Sequence, residues 1–193
     1  MCELAYYISN QLVKRKIVAE DMVDVYRYGL EILLSSSLTS LCIIFLATLF
    51  GSGMYGILYL IITIPLRLTA GGYHAQTYRN CFLISNFAYI AVYVTTNLLH
   101  KLDLPMYAWL SILYISVFYI LKKAPVQNSR QPLSTDTLKK NKRKVSIYLL
   151  LDSILFSILL VFFPASTIVK FCILAISSVA IFIIPTQMKG EIL

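Results

Sequence analysis

ILLSSSLTSLCIIFLATLFGSGMYGILYLIITIPL, residues 32–66, contains no Asp, Glu, Lys, Arg or His. A helix needs only ~20 mostly apolar residues to cross a hydrocarbon core, so this stretch has room for two crossings, with Gly51-Ser52-Gly53 as the turn between them. The second crossing, residues 54–66, is short: at ~1.5 Å per residue it falls below a ~30 Å core and is expected to end inside the bilayer. The rest of the chain repeats the pattern. Residues 31–50, 54–66, 81–99, 104–121, 145–163 and 167–188 give about six hydrophobic segments in one membrane domain covering 1–193. Hydrophobic residues make up 59% and charged residues 13% of the chain, and its mean hydropathy is +0.76. This is the composition of an all-α polytopic membrane protein, not of a water-soluble domain.

Residues 1–30 differ. Glu3, Lys14, Arg15, Lys16, Glu20, Asp21 and Asp24 interrupt any apolar run there, which excludes a secretory signal. Leu4, Ile8 and Leu12, then Met22, Val25 and Tyr26, fall at helical spacing on one face, which predicts helices lying along the membrane surface. Charge then sets orientation. Fifteen of the 17 Lys and Arg residues fall in residues 1–30, the 67–80 loop, the 122–144 loop and the tail, and only Lys101 and Lys170 fall in the alternate segments. Because basic residues accumulate on the cytoplasmic side, both termini and the 67–80 loop are expected to face the cytoplasm. The net charge of +8 reflects this asymmetry, and nothing calls for a nucleic acid. The four cysteines do not read as a disulfide framework: Cys42 and Cys172 lie in apolar spans, and Cys2 and Cys81 fall on the reducing side. Cys2 is either part of a surface helix or a lipid-modification site.

One polar segment stands out: Arg67-Leu68-Thr69-Ala70-Gly71-Gly72-Tyr73-His74-Ala75-Gln76-Thr77-Tyr78-Arg79-Asn80-Cys81. It holds one of the chain's two histidines, seven residues before a cysteine. A thiolate is the reactive form of cysteine, and an imidazole can take its proton, so His74 and Cys81 supply the parts of a nucleophilic dyad. On a straight helix they would stand ~10 Å apart along the axis, too far for a hydrogen bond. A working pair therefore requires the chain to bend, and Gly71-Gly72 supplies the freedom. Read as structure alone, the arginines are topology charges and the glycines a helix stop. His100, beside Lys101, has no nucleophile near it in sequence and reads as structural. Asp152, an acid within the fifth segment, either partners His74 at a distance or pairs with Arg143 or Lys144.

The pattern Arg67…Gly71-Gly72-Tyr73-His74…Cys81 resembles the accessory gene regulator B (AgrB) membrane peptidases of Gram-positive quorum sensing. The length and the six-segment pattern agree, and Ala124-Pro125-Val126 with Asn128 and Pro132-Leu133 looks like the family's cytoplasmic loop. The resemblance implies a cysteine endopeptidase of the bacterial cell membrane. It would remove the C-terminal tail of a small amphipathic AgrD-like propeptide and cyclise the remainder to a thiolactone or lactone. In that reading Cys81 is the nucleophile and His74 the general base, with Arg67 and Gly72 in support. Asn80, or backbone N–H groups near Gly72 and Cys81, would stabilise the oxyanion. Lys139, Lys140, Lys142, Arg143 and Lys144 would either meet the propeptide's acidic tail or contact lipid. The resemblance further implies a homodimer, and no metal or cofactor. The competing class is a non-enzymatic transporter or export component, which no internal repeat supports.

Overall fold

The computed structural model describes residues 2–15, 17, 19–72, 77–126 and 134–190. They form helices α1 (Cys2–Lys14), α2 (Val23–Leu49), α3 (Gly53–Ala70), α4 (Tyr78–Lys101), α5 (Met106–Lys123), α6 (Thr135–Phe162) and α7 (Thr167–Gly190), with a short 3-10 turn at Glu20–Met22 before α2. No strand occurs among the described residues. Five helices, α2, α3, α4, α6 and the Thr167–Ile184 part of α7, are long and apolar enough to cross a membrane. The sixth expected segment is α5, an 18-residue helix whose last turn carries Lys122 and Lys123.

Helix α7 is the axis of the bundle, packed by α3, α4, α5 and α6. Two thirds of its apolar stretch is buried (67%) against 17% for α2, which lies at the periphery. The outward residues of α2 are Leu33, Leu38, Leu41, Phe45 and Leu49, all exposed. Water would not tolerate that surface, and a bilayer solvates it. Lipid tails give no hydrophobic drive for helices to associate, so close approach and hydrogen bonds between helices hold the bundle. A Cβ at Gly56 of α3 would lie 2.8 Å from the Ala47 Cβ and 3.2 Å from the Ile43 carbonyl of α2. Ser116 and Ser177 hydroxyls join α5 to α7 at 2.9 Å, and the Tyr93 hydroxyl of α4 donates to the Phe50 carbonyl at 2.8 Å. Tyr55, Tyr59, Tyr89 and Phe171 meet edge to face in the core at centroid distances of 4.9 to 6.2 Å.

Several boundaries differ from the sequence-based expectation. The surface helices expected over 1–30 reduce to α1, because Val23 onward already belongs to the first long helix. Helix α1 turns Ala5 and Ser9 inward and leaves Leu4, Tyr6 and Tyr7 exposed, so small residues rather than the Leu4 stripe face the protein. The second segment does not stop at Leu66. Ser52 caps α3 by accepting from the Met54 N–H at 3.3 Å, and the helix carries Arg67 through to Ala70. Its 18 residues reach ~27 Å, which removes the expected shortfall. The basic run at 139–144 is also helical, because the Ser134 hydroxyl caps α6 at the Thr137 N–H and the helix starts at Thr135.

Gly56→Val would push α3 off the α2 backbone. The expected loss is ~1–3 kcal/mol, read as a lower thermal midpoint of the detergent-solubilised protein. An unchanged midpoint would contradict the close packing of α2 and α3.

Candidate active site

The end of α3 is held tightly. The Thr69 hydroxyl donates back to the Pro65 carbonyl at 2.7 Å. Leu66 and Ala70 are fully buried. The Gly71 N–H closes the last turn on the Arg67 carbonyl at 3.0 Å. There the helix stops, with Gly71 at φ 73° and Gly72 at φ 131°, backbone conformations that favour glycine.

Space excludes a side chain at both positions as well. A Cβ on Gly71 would lie 2.5 Å from the Val126 carbonyl oxygen, and one on Gly72 would lie 3.2 Å from the Phe182 carbonyl oxygen. The Val126 N–H donates to the Ala70 carbonyl at 2.8 Å. The glycine pair is thus wedged between the segment that follows α5 and the backbone of α7. Arg67, one turn earlier, lays its guanidinium 4.3 Å from the centroid of the Phe182 ring, a cation–π contact that ties α3 to α7.

The chain reappears at Thr77, whose side chain accepts from the Asn80 N–H at 3.2 Å and caps α4. Cys81 is in the first turn beyond that cap, half-buried, and is a free thiol. The connection between α3 and α4 covers 71–77 rather than 67–80, because Arg67 to Ala70 extend one helix and Tyr78 to Asn80 begin the next. Cys81 therefore does not stand on a helix running unbroken from Arg67. His74 lies outside the described residues. The Cys81 N–H donates to the Thr77 carbonyl at 3.0 Å. An apolar groove of about 460 Å³ runs along α4, lined by Leu83, Ile84, Phe87, Ala88 and Phe182.

Other expected residues fall elsewhere. Lys139, Lys140, Lys142, Arg143 and Lys144 are all exposed on the first part of α6. Asp152 is not paired with Arg143 or Lys144, since the one ion pair among the described residues joins Arg27 to Glu31 at 3.3 Å. His100 sits at the far end of α4, where its Nδ1 is 3.2 Å from the Nζ of the buried Lys170. Sequence reasoning missed Val126 and Phe182 as the backbone walls of the glycine pair. It also missed Glu31, whose carboxylate accepts from the Tyr78 hydroxyl at 3.1 Å.

The family described as Accessory gene regulator B matches residues 3–184. An AgrB-like protein of Clostridium perfringens (strain SM101 / Type A) is 22% identical over 150 residues, covering 73% of this chain and 70% of its own. AgrB-like protein 1 of Clostridium perfringens (strain 13 / Type A) is 26% identical over 160 residues, covering 80% of each chain. No solved structure matches.

Gly71→Ala and Gly72→Ala should each destabilise the protein by ~1–3 kcal/mol through backbone strain, with Gly71→Ala the worse because its Cβ meets backbone at 2.5 Å. Gly29→Ala, where nothing lies within 4 Å, should be neutral or stabilising. Thermal midpoints in detergent decide this, and equal behaviour of all three variants would contradict the wedge.

Proposed function

The chain belongs to the accessory gene regulator B family, and on that premise we propose that it is a membrane-embedded cysteine endopeptidase that removes the C-terminal tail of a quorum-sensing propeptide and cyclises the remainder. The observation that carries this reading is the position of Cys81: a free, half-buried thiol in the first turn of α4, directly after the connection that bears His74. The positive end of the helix dipole favours an anion in that turn.

The reaction divides into two exchanges at one carbonyl. His74 accepts the thiol proton as the Cys81 sulfur attacks the carbonyl before the tail. The C–N bond breaks, and the imidazolium returns the proton to the departing amine. The product is an acyl thioester on Cys81 and a free tail. An internal cysteine thiol of the propeptide then attacks the thioester carbonyl. Its proton passes to the Cys81 sulfur through His74, and the ring closes as a thiolactone. A serine hydroxyl in the same place gives a lactone. Water would end the sequence at a linear acid, so the nucleophile benefits from a site sheltered by the bundle.

Arg67 and Gly72 act as braces that fix the connection against Phe182. The groove lined by Leu83, Ile84, Phe87, Ala88 and Phe182 suits the apolar residues around the scissile bond. The exposed basic face of α6, Lys139 to Lys144, complements an acidic tail, and the asymmetry of Lys and Arg along the chain supports a cytoplasmic position for both termini and the connection. The assembly is a homodimer in this reading.

Cys81→Ala should abolish tail removal when the chain is co-expressed with its propeptide, and His74→Ala should slow it by ~10²–10⁴-fold, both at wild-type abundance in the membrane. Undiminished processing by Cys81→Ala, followed by immunoblot of the tagged propeptide, would overturn the peptidase reading. Neutralising the five basic residues at the start of α6 should raise KM with kcat unchanged, and a fall in kcat at unchanged KM would remove them from substrate binding.

A further inference from the structure

The first turn of α4, which carries Cys81, is fastened from outside the connection. Glu31 of α2 is the fastener, and each of its carboxylate oxygens has a partner. Oε1 pairs with the Arg27 Nε at 3.3 Å, and Oε2 accepts from the Tyr78 hydroxyl at 3.1 Å. Only 12% of the Glu31 side chain is exposed, so water competes weakly for it. Arg27 in turn stands 5.4 Å over the ring of Tyr6 in α1. The contacts therefore run from the surface helix α1 through α2 to Tyr78, the first residue of α4.

Tyr78 precedes Cys81 by three residues, so both fall on one side of the first helical turn. A helix start is its least cooperative part, because its first N–H groups have no partners within the helix and it frays readily. Thr77 caps this end with one side-chain bond. The Tyr78 to Glu31 bond, between residues 47 apart in sequence, adds a tertiary tie at the same place.

We propose that Glu31 is a positioning residue for the Cys81 nucleophile, holding the first turn of α4 in register with α2 through its hydrogen bond to Tyr78. The proposal rests on Cys81 being the nucleophile. Glu31 touches no reacting atom and acts through Tyr78 alone.

The test uses the full chain in native membranes, with Cys2, Cys42 and Cys172 replaced by alanine so that N-ethylmaleimide reports on Cys81. Tyr78→Phe removes one hydroxyl and keeps the ring. It should expose the half-buried thiol and speed its labelling several-fold. In the propeptide assay it should lower kcat by roughly ten- to hundredfold with KM unchanged. Glu31→Ala should do the same. Glu31→Gln, which still accepts from Tyr78, should restore slow labelling and most of the turnover. The Glu31→Ala/Tyr78→Phe double variant should be no worse than Glu31→Ala alone, because that variant has already lost the Tyr78 bond along with the Arg27 ion pair.

Wild-type labelling and turnover for Tyr78→Phe, or additive losses in the double variant, would overturn the proposal. If Glu31→Ala fails to accumulate, the isosteric Tyr78→Phe decides alone. Cys81→Ala is assayed in parallel. Should it still process propeptide, the nucleophile reading fails. Should it be inactive while Tyr78→Phe is normal, only the role of Glu31 fails.

Discussion

Ala70 ends α3 with a carbonyl that accepts from the Val126 N–H at 2.8 Å, while the neighbouring Gly71 presses against the Val126 carbonyl. A helix end in a membrane bundle has little water to satisfy its last carbonyls, so a backbone donor from elsewhere must be brought to it. The donor comes from beyond α4 and α5. That bond closes the α3–α4–α5 unit on itself, and it works only because residue 71 has no side chain. Gly72 then leans on the Phe182 backbone of α7, and Arg67 lies over the Phe182 ring. Three separate parts of the chain thereby fix where the connection to Cys81 begins.

From this junction the remaining arrangement follows in order. Helix α7 can reach the site because it is the buried axis of the bundle, with Phe171, Ile173, Ile176, Val179 and Ile183 all inaccessible. The connection emerges between α7 and the segment after α5, and Thr77 restarts the helix that bears the thiol. The opposite end of the bundle carries a different polar group: Lys170, 3% exposed, meets His100 and lies 5.6 Å from the Trp109 ring.

Much of this was legible in the sequence. The charge-free runs marked the helices because a bilayer core rejects charge, and the polar segment at 67–81 marked the candidate site by its histidine, cysteine and paired glycines. Gly71-Gly72 was legible as a bend. Its deeper reason was not, since close approach to Val126 and Phe182 depends on residues more than 50 positions away. The length of α3 was misjudged for a similar cause: Arg67 looked like the end of a span, but packing over Phe182 lets its charge sit on the helix. Glu31 was visible only as the last charge before residue 32. Nothing local to it foretold Tyr78 as its partner, because the bond is made by tertiary packing of α2 on α4.

The central claim is that Cys81 carries the acyl group between cleavage and cyclisation. Its most direct test is mass spectrometry of the chain isolated under acid from membranes supplied with a propeptide whose ring-closing residue is replaced by alanine. The account predicts a covalent adduct on the peptide containing Cys81, equal in mass to the propeptide without its tail and released by neutral hydroxylamine. A tail removed with no adduct on Cys81, or an adduct on another residue, would contradict it.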